Sequence, residues 1–193
     1  MKAFIVEGQM EKKIVEKLCP GTPVRLIGCN GDHVIVEKLA EFVAVQIETL
    51  VNRFYPIYVI FDRERRQASC DDIIAEISIE LEKRGFDTKQ LRFAVADRTS
   101  ENWFLPFLKD DGTLSTSGIV RRNSEGCDAK GVVKGIFKRL GRPYVETVHG
   151  VKLFCELPAA LAAVASPSFA TLAECLRDDC WWFNLGDGLE AAQ

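Results

Sequence analysis

Short apolar runs alternate with stretches of helical periodicity along the first half of the chain. Four of these runs have the length and composition of buried strands: residues 3–6, 24–29, 57–61 and 91–96. Three stretches between them repeat apolar residues with the period of a helix: residues 10–18, 32–54 and 69–84. Strands that alternate with helices form parallel sheets through βαβ crossovers. The pattern therefore predicts an α/β fold with a mainly parallel sheet flanked by helices.

Capping residues indicate where several of the helices begin. Asp32 is predicted to cap the long second helix, because its side chain can accept hydrogen bonds from the first turn. Ser69 and Asp72 have the spacing of a capping box and predict the start of the third helix. Ser100 is predicted to cap a further, short helix, which Pro106 limits or kinks.

The second half of the chain is less regular and is predicted to be mostly helical. Residues 110–126 are polar and rich in Gly, Ser and Thr, which predicts a long exposed loop. Three helical patterns follow it: residues 128–140, residues 157–165 and a last helix that begins at Ser166-Pro167. We therefore expect a core of residues 1–108 and a C-terminal extension of residues 109–193 that packs on it as one compact unit.

Composition excludes several classes of protein. The 193 residues are 47% hydrophobic and carry a net charge of -3, so a core of ordinary size can form. No apolar run approaches the ~20 residues of a membrane span, and the N-terminus lacks the pattern of a signal peptide. Seven cysteines without a Cys-x-x-Cys pair, and only two histidines, favour free thiols over a zinc site. We therefore expect a cytoplasmic protein without membrane contact.

Acidic residues follow two of the predicted strands at the point where each strand ends. Glu7 comes directly after the first strand, and Asp62 and Glu64 end the third. The carboxyl ends of parallel strands meet at one edge of a sheet, where open α/β sheets bind their ligands. Carboxylate oxygens are the ligands that Mg²⁺ prefers. The sequence therefore predicts that these three acids converge on a magnesium site, although any one of them alone is more often a solvated strand end.

Two motifs carry a resemblance to a known family. Glu7-Gly8 after the first strand, with Asp62-x-Glu64 after a later one, resembles the Toprim domain of topoisomerases, primases and OLD (overcoming lysogenization defect) nucleases. The longer Glu7-Gly8-x-x-Glu11 string and the helix start Glu101-Asn102-Trp103 resemble the small OLD-like Toprim proteins of bacterial defence islands. The resemblance covers about residues 1–108, and more weakly the rest. It implies a Toprim-like, Rossmann-like sheet.

The resemblance also implies a function and a set of site residues. It implies a nuclease that depends on Mg²⁺ (or Mn²⁺) and cleaves nucleic-acid phosphodiesters. By position, Glu7 is the catalytic acid/base or a metal ligand, and Asp62 and Glu64 hold metal. Glu11 and Glu101 are expected as extra ligands, although a solvated helix face and a helix-dipole partner explain them equally well.

A lysine and a partner protein are implied in the same way. OLD-like nucleases use a lysine near the cleft, for which Lys130 and Lys134 are both candidates, and we assign the catalytic role to Lys130. Related effector subunits of anti-phage or toxin-like systems work with an ATPase. Since this chain has no Gly-x-x-x-x-Gly-Lys-Ser/Thr loop, the ATPase would be a separate protein. The sequence leaves open whether the protein forms a homo-oligomer.

The basic residues beside the acids have two interpretations. Arg63, Arg65 and Arg66 are predicted to bind the phosphate backbone of DNA or RNA, and a solvated loop is the alternative. The apolar tail residues Trp181-Trp182-Phe183 are either packed on the core or part of a partner interface. The rival to the nuclease is a Toprim-fold subunit that binds nucleic acid or protein without cleavage.

Overall fold

A four-stranded parallel sheet forms the centre of the protein. In this computed structural model, the described residues are 1–29, 34–121, 124–177 and 180. The strands are β1 (Ala3–Val6), β2 (Val24–Leu26), β3 (Ile57–Asp62) and β4 (Leu91–Ala96), in the order β2-β1-β3-β4. Every neighbouring pair is parallel. The predicted α/β fold with a parallel sheet is confirmed.

Eight α-helices in the described part of the chain flank this sheet. They are α1 (Gln9–Leu18), α2 (Val36–Leu50), α3 (Cys70–Lys83), α4 (Glu101–Phe104), α5 (Ala129–Arg139), α6 (Val151–Cys155), α7 (Ala159–Ala165) and α8 (Pro167–Leu176). A turn of 3₁₀ helix, Leu105–Phe107, continues α4, and a turn of π-helix, Glu146–Gly150, precedes α6. The extension is thus mostly helical, as the sequence predicts.

The two faces of the sheet bury separate hydrophobic clusters. Because side chains alternate along a strand, Phe4 and Val6 of β1 point into one cluster while Ala3 and Ile5 point into the other. The second cluster is covered by α2 and α3. The first is covered by α1 together with the helices of the extension, among them α8 through Phe169. Core and extension therefore share one hydrophobic cluster.

The strand order places a switch point between β1 and β3. From β1 the chain crosses outward to β2 and then returns past β1 to β3 and β4. Neighbouring strands whose connections leave in opposite directions open a crevice at their carboxyl ends, and ligands of α/β sheets bind there. Glu7 and Asp62 stand at this crevice, because Val6 of β1 pairs with Ile60 of β3.

Several predicted element boundaries differ from those observed. The capping box of Ser69 and Asp72 is confirmed at the start of α3. The helix expected over residues 32–54 is shorter, and its N-cap residue, Ile35, has no side-chain hydrogen bond. The predicted cap Asp32 lies outside the described residues. The predicted loop over residues 110–126 contains no helix or strand in its described part, apart from an isolated bridge between Leu108 and Leu114 at its start.

The cysteine prediction is wrong for one pair. Cys19, at the end of α1, and Cys180 form a disulfide with their Cα atoms 6.2 Å apart, whereas all seven cysteines were expected to be free thiols. The two cysteines are 161 residues apart in sequence and come together only because the extension packs on α1, so local sequence does not predict the pair. The remaining five cysteines are free. The tail residues Trp181-Trp182-Phe183 lie outside the described residues.

Within the described chain, no single helix has the length and apolar character needed to cross a membrane. The consecutive segments Glu146–Cys155 and Ala159–Ala165 meet that test only when taken together, and they are bent by 98° at the break between them.

Candidate functional site

Three acids lie at the carboxyl edge of the sheet, as their positions predict. Glu7 follows β1 directly, and its N–H donates to the carbonyl of Ile60 at 3.1 Å. Asp62 is the last residue of β3, and its N–H donates to Glu7 Oε2 at 2.8 Å. Glu64 comes two residues later in the chain. The two neighbouring strands thus bring the acids together.

These acids line one cleft, which we call the acid cleft, with a volume of about 270 Å³. Its lining residues are Glu7, Gly8, Gln9, Met10, Glu11, Asp62, Glu64, Glu101, Lys130, Glu146 and Thr147. All five predicted metal ligands and Lys130 are therefore neighbours around one space. Lys134, the other candidate lysine, is exposed on α5 and is not among the lining residues.

Gly8 explains how Glu11 enters the acid cleft. Gly8 is the N-cap residue of α1, and its backbone is extended, with a φ of -121°. A Cβ atom built on it would lie 2.7 Å from Glu11 Oε2, which is closer than side-chain atoms approach one another. The missing side chain therefore makes room for the Glu11 carboxylate, whose residue is only 8% exposed. This is a physical reason for glycine in the Glu-Gly-x-x-Glu string.

Ser100 bridges two of the acids. Its hydroxyl lies 2.7 Å from Glu11 Oε1 and 2.8 Å from Asp62 Oδ1, although the two residues are 51 positions apart in sequence by their numbers. A serine hydroxyl has one hydrogen and can donate to only one acceptor at a time. The second contact is a hydrogen bond only when that carboxyl group itself carries a proton. The pair of carboxyls and Ser100 therefore has a place for one shared proton.

The sequence assigned a different role to Ser100. It was predicted to cap a helix, but its side chain makes no capping hydrogen bond, and its backbone is already helical. The prediction is wrong because the Ser100 hydroxyl is directed at Glu11 and Asp62 rather than at the N–H groups of the first turn. Ser100 is fully buried, and its hydroxyl serves the acid cleft instead.

Crowding of carboxylates shifts their titration. Burial raises the pKa of Asp62 well above its ordinary value, and the negative charges of Glu11, Glu7 and Glu101 raise it further. Burial likewise raises the pKa of Glu101, against the opposing influence of Lys130. Burial is therefore the main cause of both shifts, and the neighbouring negative charges add to it at Asp62.

The C-terminal extension completes the acid cleft from the other side. The hydroxyl of Tyr144 donates to Glu101 Oε1 at 3.2 Å, and burial together with the Glu101 charge raises the pKa of Tyr144. Lys130 Nζ forms a 2.9 Å ion pair with Glu146 Oε1. Sequence reasoning missed Tyr144 and Glu146 as site residues. The only signal for them was the weaker resemblance of the chain after residue 108 to the same proteins.

Two of the predicted phosphate-binding arginines are engaged inside the protein. Arg63 Nε donates to Asp97 Oδ1 at 2.6 Å. The guanidinium of Arg66 donates to the carbonyl oxygens of Val34, Asp62 and Arg63. Both arginines therefore hold the end of β3 in place. Arg65 between them has an exposed side chain.

A second polar cluster lies beside the acid cleft and joins the extension to the sheet. Glu125 Oε1 accepts hydrogen bonds from Ser166 and from Ser168. The hydroxyl of Ser168 also accepts from Trp103 Nε1 at 2.9 Å. Burial raises the pKa of Glu125, and its hydrogen bond with Asp97 raises it further. We call these residues the serine cluster; none of them was predicted from sequence as part of a polar network.

The donor chemistry of the acid cleft fits a hard divalent cation, but its side chains are not positioned for one. Among the described residues, no group of three or more His, Cys, Asp or Glu has the arrangement to hold a metal ion. Glu7 Oε2 is turned to the N–H of Asp62, and Glu11 Oε1 to Ser100. The oxygens that magnesium requires are therefore present around one space, and side-chain rotations of Glu7 and Glu11 would be needed to direct them at one point.

Comparison with protein-family models, curated proteins and solved structures finds no match to this chain. The resemblance to Toprim proteins therefore stays a prediction that rests on the motifs and on their positions in the fold.

Proposed function

We propose that this protein is a Mg²⁺- or Mn²⁺-dependent nuclease that hydrolyses nucleic-acid phosphodiesters. One observation carries the proposal: the five predicted carboxylate ligands and a lysine, which come from four separate parts of the chain, line one cleft at the switch point of a parallel sheet. Crowded carboxylates with raised pKa values cost folding free energy. Such a cost is typical of functional sites and rare in ordinary surfaces.

Glu7, Glu11, Asp62, Glu64 and Glu101 are the residues that would hold the cation. Divalent cations in such sites neutralise phosphate oxygens and lower the pKa of bound water. The role of Gly8 and Ser100 is to position carboxylates: Gly8 admits Glu11, and Ser100 orients Glu11 and Asp62 through its hydroxyl. Glu7 is assigned to proton transfer or to cation binding.

We assign Lys130 the role of pairing with the negative charge of the phosphate. Burial acts to lower the pKa of Lys130, but the hydrogen bond with Glu146 and the charges of Glu101 and Asp62 raise it above the ordinary value. Lys130 therefore stays protonated at neutral pH and brings a positive charge into an otherwise acidic cleft. A protonated lysine can pair with a phosphate oxygen but cannot serve as a general base.

The biological setting proposed here rests on the resemblance. We propose an effector subunit of a cytoplasmic anti-phage or toxin-like system that works with a separate ATPase. A net charge of -3 gives poor unassisted attraction to a polyanion. We therefore expect weak cleavage or none by the isolated chain and stronger cleavage with its partner.

The test is cleavage of plasmid DNA and of RNA by the purified chain in Mn²⁺ at low salt. Glu7→Gln and Asp62→Asn should abolish any cleavage that the wild type shows, while Glu76→Gln should retain it. Glu76 is an exposed residue of α3, so this control removes the same charge outside the acid cleft. Cleavage that survives in Asp62→Asn would contradict the assignment of the site. Vigorous cleavage by the isolated wild type would contradict only the need for a partner.

The alternative is a subunit that binds nucleic acid or protein without cleaving. The hydrogen bonds that hold Glu7 and Glu11 to protein groups favour it, because those side chains are satisfied without a cation. It predicts that Mn²⁺ supports no cleavage, even where the acid cluster holds the cation. The cleavage assay therefore separates the two functions, and calorimetric titration with Mn²⁺ tests the site itself, since the nuclease requires a binding signal that Asp62→Asn reduces.

A further inference from the structure

A basic groove begins where the acid cleft ends. It has a volume of about 370 Å³ and is lined by Arg63, Glu64, Arg65, Arg66, Gln67, Arg98 and Gly126. Glu64 lines both spaces, so the two adjoin at this one residue. Four arginines in one groove are notable in a chain whose net charge is negative. We call this space the arginine groove.

The hydrogen bonds of two arginines leave their positive charge in place. Arg66 donates to three carbonyl oxygens, and Arg98 Nη1 donates to the carbonyl of Gly126 at 3.2 Å. A carbonyl is a neutral acceptor and does not cancel the charge of a guanidinium group. Of the two, Arg66 is locked by its three bonds, whereas the bond of Arg98 is a single, solvent-exposed one.

The backbone fixes the boundary between the two spaces. Glu64 and Arg98 both have left-handed backbones, with φ values of 58° and 87°. The N–H of Glu64 donates to the carbonyl of Arg98 at 2.7 Å. Non-glycine residues rarely adopt this region, and those that do concentrate at functional sites. The paired strained residues hold an acid toward the acid cleft and place an arginine beside it.

A strand of nucleic acid has the charge pattern that fits this pair of spaces. Its phosphates follow one another along the backbone, so a phosphate at the acid cleft has a neighbour within reach of the adjoining groove. The acid cleft can accept a phosphate only with a cation, but the arginine groove can bind one directly, since guanidinium groups pair with phosphate oxygens in a bidentate way.

We propose that the arginine groove binds the backbone phosphate next to the scissile one, with Arg98 and Arg65 as the contacts and Arg63 and Arg66 as their rigid support. This inference rests on the proposed function, because it takes the acid cleft as the place of the scissile phosphate. It adds Arg98, which the sequence did not indicate, and removes Arg63 and Arg66 from the direct contacts.

The experiment measures the salt dependence of binding. A fluorescent single-stranded oligonucleotide is titrated with the full chain in Ca²⁺, and anisotropy gives the affinity over a range of salt concentrations. Each lost phosphate contact should reduce the slope of log affinity against log salt by about 0.7. Arg98→Gln and Arg65→Gln should each show this loss, while Arg98→Lys, which keeps the charge, should retain the wild-type slope.

The matched control is Arg53→Gln. Arg53 is exposed and precedes β3, so it lies at the opposite edge of the sheet and loses the same charge. Equal slopes for Arg98→Gln, Arg53→Gln and the wild type would overturn the proposal, as would an absence of binding by the wild type. Thermal melts of each variant show whether a loss of binding comes from unfolding, and Arg65→Gln then provides an independent measurement.

Failure of the groove is distinguishable from failure of the nuclease. Wild-type cleavage in Mn²⁺ with an unchanged slope for Arg98→Gln would reject the arginine groove and support the nuclease. A reduced slope for Arg98→Gln, together with neither Mn²⁺ binding in calorimetric titration nor Mn²⁺-dependent cleavage, would support the groove as a nucleic-acid site and reject the nuclease.

Discussion

The acid cleft and the serine cluster lie side by side at one edge of the sheet, and both contain carboxyl groups whose pKa values are raised by full or partial burial. They differ in how many negative charges face each positive one. In the serine cluster, Glu125 accepts from two serine hydroxyls, and Asp97 is paired with Arg63. In the acid cleft, the five predicted ligands and Glu146 face the hydroxyls of Ser100 and Tyr144 and one positive charge, that of Lys130. The surplus of negative charge, rather than the presence of acids, is what separates a candidate site from a structural network.

The first and largest effect should be on the stability of Asp62→Asn relative to the wild type, and its sign should differ between chelator and Mn²⁺. Asparagine keeps the oxygen that accepts from Ser100 and removes a charge that Glu11 and Glu7 oppose. In chelator we expect the variant to melt at a higher temperature than the wild type. In Mn²⁺ the order should reverse, because a ligand at 100 times its Kd stabilises by about 2.7 kcal/mol.

Thermal melts with and without Mn²⁺ measure both halves of this prediction. Glu76→Gln is the control and should follow the wild type in each condition. An Asp62→Asn variant that is less stable than the wild type in chelator would show that the acid cleft is satisfied without a cation, as the serine cluster is.

The second effect tests the serine cluster as a structural element. Ser168→Ala removes the hydroxyl that accepts from Trp103 Nε1 and donates to Glu125. Leaving a buried donor unsatisfied costs about 1–3 kcal/mol. Urea denaturation should show a loss in the free energy of unfolding of that size. The increase in melting temperature caused by Mn²⁺ should stay at its wild-type value, and a reduced increase would show that the two clusters act as one site.

The third effect concerns the entry of Glu11. Gly8→Ala places a methyl group against Glu11 Oε2, and we expect the carboxylate to be pushed from its position. A metal ligand that is no longer held in position typically costs about 10-fold in metal affinity. Calorimetric titration with Mn²⁺ measures this affinity.

Gly135→Ala is the matched substitution for this prediction. It lies inside α5, where the nearest atom to an added Cβ is 3.8 Å away. Alanine is favoured over glycine inside a helix, so this variant should gain stability and keep its metal affinity. Equal affinities in Gly8→Ala and Gly135→Ala would mean that Glu11 is not a ligand.

The sequence predicts features that depend on neighbouring residues better than contacts between residues that are far apart in the chain. The strands, most helices and the meeting of Glu7 with Asp62 come from local periodicity and from the rule that ligands gather at strand ends. Ser100 was misassigned because a serine before a short helix has the same local pattern whether it caps the helix or reaches 89 residues back to Glu11.

The residues that the sequence missed depend on the packing of the extension. Tyr144 and Glu146 reach the acid cleft, and Glu125 reaches Asp97, only after the extension has covered α1 and α4. The Cys19–Cys180 disulfide has the same origin. These contacts have no spacing pattern in the chain, so they could not be predicted from local sequence.

The smallest effect, and the finest test of the comparison, is the pH dependence of Glu125→Gln. The pKa of Glu125 in the folded protein is raised above its ordinary value of 4.5 by burial and by Asp97, so folding favours the protonated form. The stabilising contribution of Glu125 is therefore complete below that ordinary value and is lost as the pH rises through the raised one. Glutamine imitates the protonated carboxyl at every pH.

The free energy of unfolding of Glu125→Gln should thus match the wild type near pH 4 and exceed it increasingly toward neutral pH. Because Glu125 is partly exposed, the gain should be smaller than that of Asp62→Asn in chelator. Urea titrations across this pH range measure the difference, and a constant difference would mean that the pKa of Glu125 is not raised in the folded protein.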